Sequence, residues 1–158
     1  MPPDTRVGRY ARWYHLADIY LAGGSNTYDQ NYHRQQDGVN ITTADIAAHV
    51  DAGGGITTTN AVNAADYETL FRELIAQYDA VIHINIGAGF SCCHQNAKLA
   101  AEEVPGVHVF SSENLSVGHG MAVLLAAEAA RGGKSVEEIL SLLENLRPRL
   151  EMSFVLDR

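Results

Sequence analysis

Residues 80–86, AVIHINI, are apolar at both parities apart from His83 and Asn85. Neighbouring side chains in a strand point to opposite faces, so this run leaves no face for water and reads as a strand covered on both sides. Such a strand requires layers above and below it. The segments around it supply them. Tyr14 to Leu21 and Ile56 to Thr59 read as strands, and residues 25–40 as a polar loop. Thr42 and Asp45 have capping-box spacing and open a helix that runs to about Val50 and stops at Gly53-Gly54-Gly55. Asn63 is suited to cap a helix whose apolar positions are Tyr67, Leu70, Phe71, Leu74, Ile75 and Tyr78.

A helix is expected from Ser91, a strand over Val107 to Ser111, and a helix over Ser116 to Arg131. Ser135 and Glu138 then cap an amphipathic helix carrying Val136, Ile139, Leu143, Leu146 and Leu150 on one face. Met152 to Leu156 reads as a last strand. Strands alternating with helices predict an α/β fold, a three-layer α/β/α sandwich around a mainly parallel sheet, with the strand at 80–86 central. At 158 residues, residues 1–158 are expected to form one domain.

Charge and cysteine usage remove several function classes. The formal net charge is −8, a field that repels phosphate backbones, so nucleic acid is not an expected partner. No apolar run approaches the roughly 20 residues of a transmembrane helix. The start MPPDTRVGRYARWYH has no hydrophobic signal core, which leads to the expectation of a cytoplasmic protein. The two cysteines, Cys92 and Cys93, are adjacent, and a bond between them would close a strained ring outside ordinary disulfide geometry.

The stretch IGAGFSCCHQNAKLA, residues 86–100, gathers the reactive chemistry. Ligands of a parallel sheet collect beyond the carboxyl ends of its strands, where helix N-termini point. Ser91 occupies that place. The unpaired first amides and the positive end of the helix make an anion site for a carboxylate or phosphate. The plainer alternative is that Ser91 only caps its helix, and local evidence by itself favours the cap. Cys92 and Cys93 at a helix start raise a thiol nucleophile, but Cys93 shares a helical face with Ala97, Ala100 and Val104, and no base partner is evident. Seven histidines invite a metal site, yet none forms His-x-x-x-His and no ligand-spaced cysteine pair exists. His119, between Gly118 and Gly120 at a helix start, is a candidate site-lining residue.

Four segments, in order, resemble the first lobe of the DegV family of fatty-acid-binding proteins. They are DGVNIT (37–42), ITTTNAVNAADYETLF (56–71), DAVIHINIGAGFSCCHQNAKLAAE (79–102) and VFSSENLSVGHGMAVLLAAEAARGGKSVEEIL (109–140). The resemblance covers roughly residues 37–157. It implies a non-enzymatic carrier without cofactor, whose ligand is a long-chain fatty acid or other lipid carboxylate. The head group would be held by Thr59 and Ser91, with Asn60 and the amide of Cys92 beside them, and the tail would lie in an apolar tunnel. The bound lipid could be handed to a fatty acid kinase.

The chain departs from that family at specific places. Asn60-Ala61-Val62 replaces Ser-Gln-Pro, Gly87-Ala88 replaces Ser-Ser, Cys92-Cys93 replaces Gly-Thr, and Ser111 stands where the family usually has Asp. The family's first strand is not recognisable in residues 1–13. The chain is expected to lack the second lobe that covers the tail. A methylene transfers about 0.8 kcal/mol, so exposing half of a ~16-carbon tail would forfeit roughly 6 kcal/mol. A homo-oligomer or a separate lobe-supplying chain is one expected source of the missing wall, and a sequence that is a piece of a longer chain is an equal alternative. Two further readings compete with the carrier: a DegV-like interaction module with no ligand, and a thiol or metal site at Cys92, Cys93 and His94.

Overall fold

The computed structural model describes residues 17–21, 33–36, 41–55 and 58–153. The elements in chain order are β1 (Ala17–Leu21), β2 (His33–Gln36), α1 (Thr43–Asp51), β3 (Thr58–Ala61), α2 (Ala64–Ile75), β4 (Val81–Asn85), α3 (Cys93–Glu102), β5 (Val107–Ser111), α4 (Ser116–Arg131) and α5 (Val136–Leu146). A short 3-10 turn at Arg147–Arg149 follows. The chain divides into two compact units, with the change of unit falling between Val62 and Asn63.

In the unit ending at Val62, β1 lies between β2 and β3 and is antiparallel to both. Leu21 faces His33 and Tyr20 faces Thr58. Thr42 caps α1: its hydroxyl accepts the Asp45 amide, and the Asp45 carboxylate accepts the Thr42 amide at 2.8 Å. Those bonds hold the Asp45 carboxyl below its ordinary pKa. Among the described residues of this unit, Ile41 and Val62 are buried, at 2% and 3% exposure, and α1 buries none.

The unit from Asn63 onward is a layered sandwich around β4 and β5, which pair in parallel from Val81 opposite Val107 to Asn85 opposite Ser111. Alternation along β4 sorts its side chains between two unlike layers. Ile82 and Ile84 pack into an aliphatic cluster with Phe110, Ala122, Ala126, Ile139 and Leu143, the contribution of β5, α4 and α5. His83 points the other way, edge-on to Tyr67 and Phe71 of α2, with ring centroids 5.1 and 5.2 Å away. α3 joins α2 on that side and buries Ala97 and Ala100. Caps begin the helices as their sequences require. Asn63 accepts the Asp66 amide at 2.9 Å, and Ser135 with Glu138 closes a capping box on α5.

Five expectations change. Residues 33–36 form β2 inside the stretch expected to be a loop, and its other residues lie outside those described. The strand expected at Ile56 to Thr59 is found at Thr58–Ala61, with residues 56 and 57 undescribed. The expected α/β class with a parallel sheet is what forms, but the sheet containing β1 is antiparallel, since β1 and β2 pair as neighbours along the chain. β4 is covered on both faces, although only Asn85 within it reaches full burial, and among the described residues it pairs with β5 alone. Of the last expected strand, Met152 and Ser153 are not in strand, and residues 154–156 lie outside the described chain.

Candidate functional site

The chain leaves β4 at Asn85 and turns through Gly87, Gly89 and Ser91 before α3. Inside the turn the Phe90 amide donates to the Gly87 carbonyl at 2.9 Å. α3 starts two residues later than expected, at Cys93, with Cys92 at the cap position and making no side-chain cap bond. The cap comes from one residue earlier: Ser91 Oγ accepts the Cys93 amide at 3.2 Å. Ser91 therefore acts as a cap through its lone pairs, and its O–H proton is still able to donate. The first bond recorded along the helix runs from the Asn96 amide to the Cys92 carbonyl at 3.0 Å. The amides of His94 and Gln95 precede it, at the positive end of α3.

A second loop, between β5 and α4, holds this turn from below. Ser111 Oγ accepts the Ala88 amide at 3.0 Å, and the Asn114 carbonyl accepts the Gly87 amide at 3.0 Å. Ser112 Oγ accepts the Asn114 amide at 3.2 Å and lies 3.1 Å from His119 Nδ1. Asn114 Nδ2 donates to the carbonyls of Ser112 and Leu150, each at 3.1 Å. Two non-glycine residues of this loop, Glu113 and Ser116, have left-handed φ values of 52° and 46°. A Cβ on Gly87 would lie 3.1 Å from the Glu113 carbonyl carbon, and one on Gly118 only 2.5 Å from Asn114 Oδ1. Glycine at 87 lets loop and turn approach this closely, and glycine at 118 lets α4 start against the Asn114 side chain.

On the α2 side of the turn lies a buried polar group. Asn85 Nδ2 is 3.0 Å from His83 Nε2 and donates to the Tyr67 hydroxyl at 3.3 Å. Burial, then the charges of His119 and His94, depress the His83 pKa to about 4. Burial, with Cys93 beside it, pushes the Tyr67 phenol up. Burial also lowers His94, and Lys98 lowers it further against the opposing Glu113. Asn85 Oδ1 and His94 Nδ1 are buried without a hydrogen-bond partner.

The expected site residues separate as follows. Ser91, Cys92 and His119 belong to the unit beginning at Asn63, whereas Thr59 and Asn60 lie on β3 in the unit ending at Val62, opposite Ile19 and Asp18. Cys92 is exposed, Cys93 is half-buried, and His119 is buried against Ser112 at 7% exposure. Among the described residues, no group of three or more His, Cys, Asp or Glu side chains is placed to hold a metal ion. Among them too, no helix is long and apolar enough to cross a membrane. An apolar cavity of about 370 Å³ lies among β4, α2, α4 and α5, and neither Ser91, Cys92 nor His119 borders it. The anchors Ser111, Ser112 and Asn114 were not singled out from sequence as site residues. The serine-rich stretch before the helical Gly-x-Gly was their visible signal.

This is an α/β domain whose polar turn stands at the carboxyl end of a parallel strand, at a helix start. The family model described as "Uncharacterised protein, DegV family" matches residues 27–158, and the chain belongs to the DegV family. A DegV domain-containing protein of Deinococcus radiodurans is 32% identical over 123 residues, which are 77% of this chain and 44% of that protein. The structure described as fatty acid binding of a DegV family protein from Thermus thermophilus is 33% identical with a TM-score of 0.66, over 83% of this chain and 45% of that one. The Streptococcus pneumoniae Fatty Acid Kinase (Fak) B3 protein loaded with linoleic acid shares the fold. Its TM-score is 0.61 at 14% identity, over 83% of this chain and 45% of that one. The chain spans about half the length of the relatives it matches.

Proposed function

We propose that this chain binds a fatty acid or similar lipid carboxylate and makes or breaks no bond in it. The observation that carries this reading is Ser91. Its hydroxyl stands at the carboxyl end of β4, beside the first amides of α3, in a member of a family where a 33%-identical structure is described by its fatty acid binding. The Ser91 hydroxyl would donate to one carboxylate oxygen and the α3 amides to the same charge, and Thr59 and Asn60 are assigned to the head group by the family resemblance alone. Charge-assisted bonds of this kind are the strong ones. Cys92 takes part through its amide, and His119 lines the floor of the site through Ser112.

The tail requires a wall that these residues do not form. We assign it to a second lobe-like body, whether a continuation of this chain, a second copy of it or a separate chain, and assign collection of the lipid to a fatty acid kinase. Two features support an apolar partner for this face: Phe90 in the turn is 51% exposed, and Val117 and Met121 of α4 are 70% and 46% exposed.

Native mass spectrometry of protein purified from cells tests the proposal. A co-purifying fatty acid is the expected result. A bare chain favours the interaction module, and a metal or thiol adduct favours the Cys92, Cys93 and His94 site. Light scattering tests the wall, and a stable monomer at tens of micromolar, in the range of modest interfaces, would count against it.

A further inference from the structure

We propose that Ser111 and Asn114 are positioning residues that fix the Gly87–Ser91 turn in its binding geometry. This rests on the head-group reading of Ser91.

The bonds run to the two residues at which the turn begins. Ser111 Oγ takes the Ala88 amide and the Asn114 carbonyl takes the Gly87 amide, both at 3.0 Å. Ser91 follows three residues after Ala88, so a shift at Ala88 moves the hydroxyl that would meet the carboxylate. The anchors are themselves immobilised. Ser111, Ser112 and Asn114 are 6%, 1% and 5% exposed, and Asn114 is tied at both ends of its side chain and backbone to Ser112.

The loop holds these positions at a conformational cost. Glu113 and Ser116 both adopt left-handed backbone, a region non-glycine residues enter only at a cost. A loop that served only to connect β5 to α4 would relax by placing glycine or asparagine there. Instead, glycine stands at position 87, where a Cβ would meet the loop 3.1 Å from the Glu113 carbonyl carbon. Close approach is maintained and the strain is tolerated, as expected where a rigid loop must locate another group.

Asn114 adds a further link. Its Nδ2 also donates to the Leu150 carbonyl, beyond the end of α5. Leu150 is thus connected to the head-group turn through one residue, Asn114.

The test measures Ala88 and Gly87 amide exchange together with hexadecanoate affinity in the wild type, Ser111→Ala, Ser111→Thr and Asn114→Asp. Removing one hydrogen bond should weaken hexadecanoate binding roughly three- to tenfold in Ser111→Ala. Ala88 exchange should accelerate by a similar factor or more, with Ile82 and Ile84 of β4 unchanged. Ser111→Thr keeps the acceptor and should restore both readings. Asn114→Asp keeps the backbone carbonyl that takes the Gly87 amide but removes the Nδ2 donations to Ser112 and Leu150 that hold it in place, so Gly87 exchange should accelerate and binding weaken, which covers the case of a poorly folded Ser111 variant. Unchanged Ala88 exchange in Ser111→Ala overturns the anchor. Faster Ala88 exchange with unaltered affinity overturns its positioning role, as does equal acceleration throughout β4. A wild-type protein that binds no hexadecanoate overturns the head-group reading instead, and the positioning role with it.

Discussion

The imidazole of His83 meets the phenol ring of Tyr67 edge-on, with centroids 5.1 Å apart and planes at 68°. Burial there depresses the His83 pKa to about 4. The unfolded chain, with an ordinary value near 6.5, therefore binds this proton more readily than the folded one. Above pH 6.5 neither state is protonated and the residue has no pH effect. Between 6.5 and 4, stability should fall by up to about 1.4 kcal/mol per pH unit, and below 4 this contribution to the loss is complete. Urea unfolding at a series of pH values should show this acid limb, and His83→Leu should flatten it. An unaltered limb in that variant would assign the loss to other groups.

Phe71 is fully buried, at 0% exposure, and stacks on Tyr67 with centroids 5.7 Å apart. Phe71→Ala should cost roughly 3–5 kcal/mol, measured by denaturant midpoint. A loss under 1 kcal/mol would mean that α2 is far less tightly packed against β4 than described.

Ser91→Ala removes both a cap and the proposed ligand donor. Loss of the bond to the Cys93 amide should cost about 1 kcal/mol of stability. Loss of a charge-assisted donor should weaken fatty-acid binding by roughly ten- to a hundredfold. Cys92→Gly should leave affinity unchanged or improved, because only the amide at that position is assigned a role. Isothermal titration of both variants separates the two contributions, and equal affinities for wild type and Ser91→Ala would remove Ser91 from the site.

The thiols should react in two phases with a disulfide reagent, since Cys92 is exposed and Cys93 is half-buried beside Tyr67. Cys92→Ser should abolish the fast phase alone. Two equal rates would place Cys93 at the surface.

Much of this architecture was written in local chemistry. Thr42 with Asp45, Asn63 and Ser135 with Glu138 announce three helix starts because a cap bonds to residues only three positions away. The strand β4 was legible from its doubly apolar pattern. β2, with the sequence HRQQ, was not, because a strand at the edge of a sheet is free to carry polar residues on both faces. Antiparallel pairing of β1 with β3 joins Ala17 to Ala61, and no local signal encodes a partner that distant. At the site, Ser91 was visible as a polar group at a strand-to-helix turn. Its anchors Ser111 and Asn114 were marked only by the serine-rich stretch before the helical Gly-x-Gly, since their bonds run to Ala88 and Gly87, far away along the chain.

The approach of Gly118 to Asn114 has a consequence for how such chains drift over generations. A Cβ at 118 would stand 2.5 Å from the Asn114 amide oxygen, so the glycine there records a distance rather than a need for flexibility. Glycine inside a helix gives up about 1 kcal/mol relative to alanine, and selection for α4 alone would erase it. Asn114 preserves it. The two positions should accordingly change together or not at all: a lineage that shortens residue 114 becomes free to acquire alanine at 118, and one that keeps the asparagine keeps the glycine. A small residue on a helix thereby becomes the inherited imprint of a side chain four positions earlier.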